Sequence, residues 1–406
     1  MAGDGFRIID ADGHVLEHPT AMLQYAPAKF RDRIFHLETR PDGSEVVHYA
    51  GHTTSANYLA VAGTGGMSKE ERLRAAAGKL RYSEIKPGAF DPKARLSEVA
   101  IDDIQQSVVY PTLMLGLPGF PDAEFAEAQA SAYNHWVADY CRYAPTRLFG
   151  VGVIPQQDTA RSLAVIAEAK RLGLVGVFMR PNPSVDGGQL SDARYEPIWS
   201  LCEDLDLTIG FHPYLAPDMP GACRNLHLWN YRAPGGSVDF VEAMSQSPMT
   251  SLHNIFFSQG LSNVYDMMTT IAILIGGGVL ERHPELRCIF LEANGGWIAS
   301  FLERLDHHYE IFGWDVPALT MKPSEYFKRQ CWISFDPDES LLKTTAEHPL
   351  VGAERIIWAS DYPHPDAKIP GVVDELRAAM HGLSEDKQAR IFGLNAVELY
   401  KLPALS

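Results

Sequence analysis

No stretch of the 406-residue sequence is long and apolar enough to cross a bilayer: the most hydrophobic one, Met267 to Leu280, contains threonines and three glycines and falls short of the roughly 20 residues a span needs. The start, MAGDGFRIID, lacks a basic segment followed by an apolar one, so neither a secretory leader nor a membrane span is expected. Cysteine is scarce and scattered: Cys141, Cys202, Cys223, Cys288 and Cys331 are odd in number and include no CxxC pair. That excludes a disulfide framework and a thiolate zinc site, and fits a reducing cytoplasm. Positive charge is also in deficit. With 35 basic against 51 acidic residues the net charge is -16, which argues against a general affinity for nucleic acid or for an anionic membrane surface. The glycine runs Gly63 to Gly66 and Gly276 to Gly278 lack nucleotide-binding spacing.

Short, β-branched apolar runs are present, and segments of helical period separate them. Eight such runs stand out: Arg7 to Asp12, Ser107 to Pro111, Leu148 to Pro155, Val175 to Arg180, Thr208 to His212, Arg287 to Glu292, Cys331 to Phe335 and Arg355 to Asp361. Near-continuous apolar strands alternating with helices predict a parallel sheet covered on both faces, and eight is the number that closes a (β/α)8 TIM barrel. Helices are expected over Pro121 to Ala144, Asp158 to Leu172 and Glu196 to Leu205. Residues 16 to 105 and 214 to 265 are punctuated by Gly, Pro, Asn and Ser, and fit insertions that cap the C-terminal mouth of one domain spanning 1–406.

In such a barrel the C-terminal strand ends converge on one mouth, so residues there can share a site. The first run continues Asp10-Ala11-Asp12-Gly13-His14, and period-two geometry predicts Asp10, Asp12 and His14 on one face. The fifth run ends on His212, which alone would more often be a satisfied core histidine. The sixth ends on Glu292, costly to bury without a cation or an arginine partner. The eighth ends Ser360-Asp361-Tyr362-Pro363-His364, where a turn or cap aspartate is the plain alternative. Four such coincidences on separate strands point to a metal.

The motif order resembles the amidohydrolase-related family of metal-dependent barrels that includes aminocarboxymuconate-semialdehyde decarboxylase and the resorcylate-type decarboxylases. The resemblance implies a distorted TIM barrel holding a divalent metal on Asp12, His14, His212 and Asp361. Two departures stand out. Relatives with two histidines in the first motif have an imidazole where this chain has Asp12, an exchange that moves metal preference from zinc toward manganese or iron. Relatives also carry an acid/base histidine in an AHGG-like run, matched here by Ala293-Asn294-Gly295-Gly296. Glu292 then stands as the acid/base group or as a further, bridging ligand. The FLExxxGW and SDYPH wording is similar to a branch that contains nonheme diiron monooxygenases acting on coenzyme A-linked substrates, with His253 a candidate ligand for a second iron.

The expected function is therefore an O2-dependent monooxygenase with one or two irons, hydroxylating a bulky apolar carboxylic acid or its coenzyme A thioester. The alternative is a manganese- or zinc-dependent hydrolase or decarboxylase of an aromatic or other carboxylic acid. Glu292, Asp361 and His364 are the candidate catalytic residues; Arg180, Trp229 and Asn294 are the candidate substrate contacts, with rim ion pairing and plain packing as the bland readings of Arg180 and Trp229. The expected partner is a small molecule, and homo-oligomers are common in the family. A catalytically dead barrel is the least favoured reading, because the presumed ligands are all present.

Overall fold

The computed structural model describes residues 5–18, 20–181, 188–213 and 258–405. The strands, in chain order, are β1 (Ile9–His14), β2 (His36–Thr39), β3 (Glu45–Tyr49), β4 (His52–Ser55), β5 (Gln106–Tyr110), β6 (Leu148–Val153), β7 (Gly176–Met179), β8 (Thr208–Phe211), β9 (Cys288–Phe290), β10 (Cys331–Phe335) and β11 (Ile356–Trp358). Eight of them form one sheet in the order β1-β5-β6-β7-β8-β9-β10-β11, and every adjacent pair is parallel. The order follows the sequence, as right-handed βα crossovers require. The sheet curls into a TIM barrel that closes beyond β11, where His14 N donates to Tyr362 O (2.8 Å) and Asp361 N to Asp12 O (3.2 Å). Each of the eight expected runs overlaps one barrel strand; β1 continues two residues past its run to His14, and β5 begins one residue before its run, at Gln106.

Outer helices cover the strands, and their ends are set by side-chain caps. Asp122 accepts from Phe125 N at the start of the helix Ala123–Arg142, and Asp158 accepts from Arg161 N at the start of Thr159–Arg171. The helix Glu196–Asp204 buries Ile198, Trp199 and Cys202 on one side. Phe178, Trp199, Phe211 and Trp358 are fully buried, and the rings of Phe211 and Phe290 stack 5.5 Å apart on adjacent strands. The Met267 stretch lies in the helix Val264–Gly276, with Met267, Ile271 and Leu274 packed into the core. Among the described residues no helix is long and apolar enough to cross a membrane.

The expected insertion over 16 to 105 has structure of its own. Strands β2, β3 and β4 form a separate antiparallel sheet, and the helices Lys69–Ala76 and Pro92–Val99 follow. It reaches the barrel mouth at Gly65, whose N–H donates to Pro363 O at 2.8 Å. A Cβ at residue 65 would lie 2.6 Å from His364 O, so the approach needs glycine. Of the second insertion, residues 258–265 enter the helix Val264–Gly276 through a turn of π-helix; 214–257 lie outside the described residues.

Candidate metal centre

The DADGH run does not act as one alternating strand. The register between β1 and β5 shifts between Asp10 and Gly13, which removes Asp10 from the set facing the mouth. This corrects the expectation that Asp10, Asp12 and His14 share a face. Asp10 instead accepts from Ser360 N (3.0 Å) and Ser360 Oγ (2.8 Å), with Arg95 Nη2 3.8 Å away. Arg95, fully buried, donates to the carbonyls of His14 and Tyr362 and lies over the Tyr362 ring. A Cβ on Gly13 would lie 2.4 Å from Asp10 Oδ2 and 2.5 Å from Arg95 Nη2, so the glycine makes room for this seam.

His14 and His212 meet across the mouth. Each Nδ1 lies 2.8 Å from a backbone carbonyl, Pro111 O for His14 and Pro213 O for His212, and a carbonyl can only accept. Both Nδ1 atoms therefore carry the proton, and both Nε2 atoms present lone pairs. Those two Nε2 atoms are 3.2 Å apart. Lone pairs converging on one point are repulsive unless a cation stands between them, and a carbonyl fixing the far nitrogen is how metal-binding imidazoles are held.

Carboxylates complete the arrangement. Asp12 Oδ1 is 3.7 Å and Asp361 Oδ1 3.3 Å from His14 Nε2, and Glu292 Oε2 is 3.3 Å from His212 Nε2. Asp12 Oδ1 is buried and has no hydrogen-bond partner among the described residues. Leaving a carboxylate oxygen so placed costs several kcal/mol unless a cation compensates. Asp12, His14 and His212 can converge on one ion, as can His14, Asp361 and His364. The two triads share His14, so they delimit one centre. An oxygen-rich shell with two imidazoles and no thiolate suits manganese or iron better than a structural zinc.

Electrostatics follow from burial and crowding. Burial first, then the neighbouring His364 and His212, push the His14 imidazole well down; burial pushes His212 down to about 3. Both rings stay neutral, the state that ligates. Asp12, Glu292 and Asp361 are all pushed well up, first by burial and then by other carboxylates: Asp10 and Asp336 on Asp12, Asp366 and Asp12 on Glu292, Asp366 and Glu292 on Asp361. Without a cation the acids at this mouth oppose one another's ionisation.

His364 stacks on His14 with ring centroids 4.0 Å apart. Its Nδ1 is 2.7 Å from Asp361 Oδ1 and its Nε2 3.0 Å from Thr112 Oγ1, so both ring nitrogens are engaged. Glu292, Asn294 and Asp361 adopt left-handed backbone, φ 48°, 53° and 54°, just past the ends of β9 and β11. Such strain costs on the order of 1 kcal/mol per residue and gathers where side-chain direction matters. It explains how Glu292 and Asn294 both face the cavity although the strand, and with it the alternation expected to align them, has ended.

A cavity of about 400 Å³ opens over these groups, with Asp12, Glu292, Asn294, Asp361 and Lys368 in its wall. Three wall residues carried no signal that was used in the sequence: Gln259, whose amide donates to Glu292 and Asp366; Asp366, hydrogen-bonded to Asp361; and Asp336, just past β10. Asp336 had the signature that marked the others, a carboxylate ending an apolar strand. Arg180 is buried past β7, its backbone N–H and carbonyl both held by Gln156. Trp229 and His253 lie outside the described residues.

The model of the amidohydrolase family matches residues 9–402. The chain is 26% identical over 327 residues to 2-amino-3-carboxymuconate-6-semialdehyde decarboxylase of Dictyostelium discoideum, covering 79% of each. It is 24% identical over 343 residues to γ-resorcylate decarboxylase of Rhodococcus jostii, covering 78% of this chain and 92% of the relative. Its fold is similar to the manganese-bound 5-carboxyvanillate decarboxylase of Novosphingobium aromaticivorans, with a TM-score of 0.65 and 17% identity over 99% of each chain.

Proposed function

The chain belongs to the amidohydrolase family, and we propose that within it the protein is a divalent-metal-dependent decarboxylase of an aromatic carboxylic acid. The observation that carries the metal is the pair of lone pairs facing each other at 3.2 Å on His14 and His212, with the orphaned Asp12 Oδ1 beside them. Asp12, His14, His212 and Asp361 would hold the ion, and manganese is favoured by the oxygen share of the set and by the ion bound in the similar structure. Bound there, a divalent ion supplies a Lewis acid for the substrate carboxylate and an adjacent oxygen.

The protein's own groups do the rest. The carbonyls of Pro111 and Pro213 fix the tautomers of the two imidazoles, and His364 holds Asp361 against the His14 edge. The cavity, at about 400 Å³, falls within the range of small-molecule sites and admits a single substituted ring. Among the described residues in the cavity wall, Lys368 is the cationic side chain that can offset substrate charge. The choice of decarboxylation is supported by the names of the two curated relatives, both decarboxylases of carboxylic acids.

The iron-dependent oxygenation expected from the sequence, and with it a coenzyme A-linked substrate, gains no support. Its second iron needs a second set of ligands. The two donor triads share His14 and make a single centre among the described residues, and the extra ligand proposed at His253 lies outside them. The deciding experiment is CO2 release from γ-resorcylate and 5-carboxyvanillate by manganese-loaded protein under nitrogen. Release without oxygen is the expected result; turnover of neither acid, or turnover only with oxygen consumption, overturns the proposal.

A further inference from the structure

Decarboxylation consumes one proton per turnover, delivered to the ring carbon that loses its carboxylate, and a site for it needs a proton donor facing the cavity. The groups nearest the metal position are poor candidates. Glu292 lies 3.3 Å from His212 Nε2, turned toward the imidazole pair, and its other oxygen accepts from Gln259. His364 spends one ring nitrogen on Asp361 and the other on Thr112, and its face lies against His14. Glu339 accepts from the N–H groups of Gly295, Gly296 and Asp336. Asp338 is paired with Lys368, which also reaches Glu375 at 3.2 Å. Asp366 is hydrogen-bonded with Asp361 and accepts from Gln259.

Asp336 is differently placed. It is the first residue past β10, at the C-terminal mouth of the barrel, and its side chain lines the same cavity as Asp12, Glu292 and Asp361. One carboxylate oxygen, Oδ2, accepts from Asn294 Nδ2 at 2.7 Å, which aims the group across the cavity from the loop after β9. Among the described residues no such contact holds Oδ1. Asn294 itself cannot exchange a proton at neutral pH, but from its left-handed backbone it positions a group that can.

We propose that Asp336 is the catalytic acid, donating its proton to the ring carbon of the substrate, with Asn294 as its positioning residue; this rests on the decarboxylase reading above. The proton on Oδ1 moves to the carbon bearing the carboxylate and bonds to it through a ring electron pair. The bond to the carboxylate then breaks, its electron pair restores the ring, and CO2 leaves. Asp336 is left ionised and regains a proton from water in the open cavity, so one solvent proton is consumed for each CO2 released.

The surroundings suit that cycle. Although its surface opens on the cavity, poor solvation by the enclosing protein and the nearby Asp366 and Asp338 carboxylates push the Asp336 carboxyl up to about 6, against the opposing pull of Asn294 and Lys368. An acid poised near neutrality can both give and regain a proton.

The test uses full-length protein loaded with manganese, with γ-resorcylate and 5-carboxyvanillate as probes. Asp336→Asn should keep its manganese and change KM by no more than about threefold, while kcat falls about 100-fold or more. Asp336→Glu should restore part of the loss. Because the acid must be protonated, wild-type kcat should fall as pH rises through about 6. Asn294→Ala removes a hydrogen bond that favours the ionised form, so its kcat profile should shift to higher pH, a change that mere loosening of the loop would not produce. If the wild type releases CO2 and Asp336→Asn keeps kcat within about threefold with an unshifted profile, the role of Asp336 is wrong and the decarboxylase reading stands. If manganese-loaded wild type releases CO2 from neither acid, the decarboxylase reading falls and takes this role with it.

Discussion

His14 and His212 point unprotonated Nε2 atoms at each other across 3.2 Å, each imidazole locked by a backbone carbonyl on its far side. The arrangement is organised for a cation and is unfavourable without one. Replacing either histidine with Ala should lower manganese from about one ion per chain to about a tenth or less after dialysis, because each ring supplies a donor that neighbouring carboxylates cannot replace. Elemental analysis checks this, and full occupancy in either variant would place the ion elsewhere.

Glu292 sits beside this pair without being needed to complete it. Its Oε2 is 3.3 Å from His212 Nε2, while Oε1 accepts from Gln259 at 3.4 Å. With Asp12, His14, His212 and Asp361 intact, Glu292→Gln should still bind about one manganese per chain, with affinity lowered by no more than about tenfold. A metal-to-protein ratio that falls as far as in the histidine variants would make Glu292 a ligand in its own right.

The barrel was legible because its eight strands are buried on both faces, which leaves apolar, β-branched runs that few other structures produce. The strand ends were less so. β9 and β11 stop two and three residues before the expected Glu292 and Asp361, where the chain turns through left-handed backbone that non-glycine sequence does not announce. Asp10 looked like a third ligand because alternation alone would align it with Asp12. The register shift that diverts it to Ser360 and Arg95 depends on a neighbouring strand and a helix some 80 positions away. Asp336 ends an apolar strand as the others do, but in Phe335-Asp336-Pro337-Asp338-Glu339 a carboxylate before proline reads equally well as an ordinary turn. Its contact with Asn294 exists only in the folded mouth.

Arg95 should be a stability residue of the first rank. Fully buried, it faces Asp10 at 3.8 Å and bonds the carbonyls of His14 and Tyr362, the two segments that close the barrel. Arg95→Met would leave the buried Asp10 without its counter-charge, a loss of about 3–5 kcal/mol. Urea unfolding of the metal-free proteins measures it without a contribution from the ion. A cost under about 1 kcal/mol would mean that backbone hydrogen bonds alone hold the seam.

Glu17 offers a pH test of the packing behind the mouth. Its buried carboxylate accepts from the N–H groups of Thr112, Leu113 and Met114, yet burial outweighs these bonds and pushes the carboxyl up from 4.5 to about 7. The folded state therefore holds this proton more tightly than the unfolded chain does. The resulting stabilisation is fully present below about pH 4.5 and is lost as pH rises through about 7, a span equivalent to about 3 kcal/mol at most. Glu17→Gln has no proton to lose there. The stability of wild type minus that of the variant should decline between those two pH values and then level off, with all other titrating groups cancelling in the difference. Chemical denaturation of both proteins across that interval gives the curve directly. A flat difference would mean that the three backbone donors hold Glu17 ionised throughout, and that burial does not govern its charge.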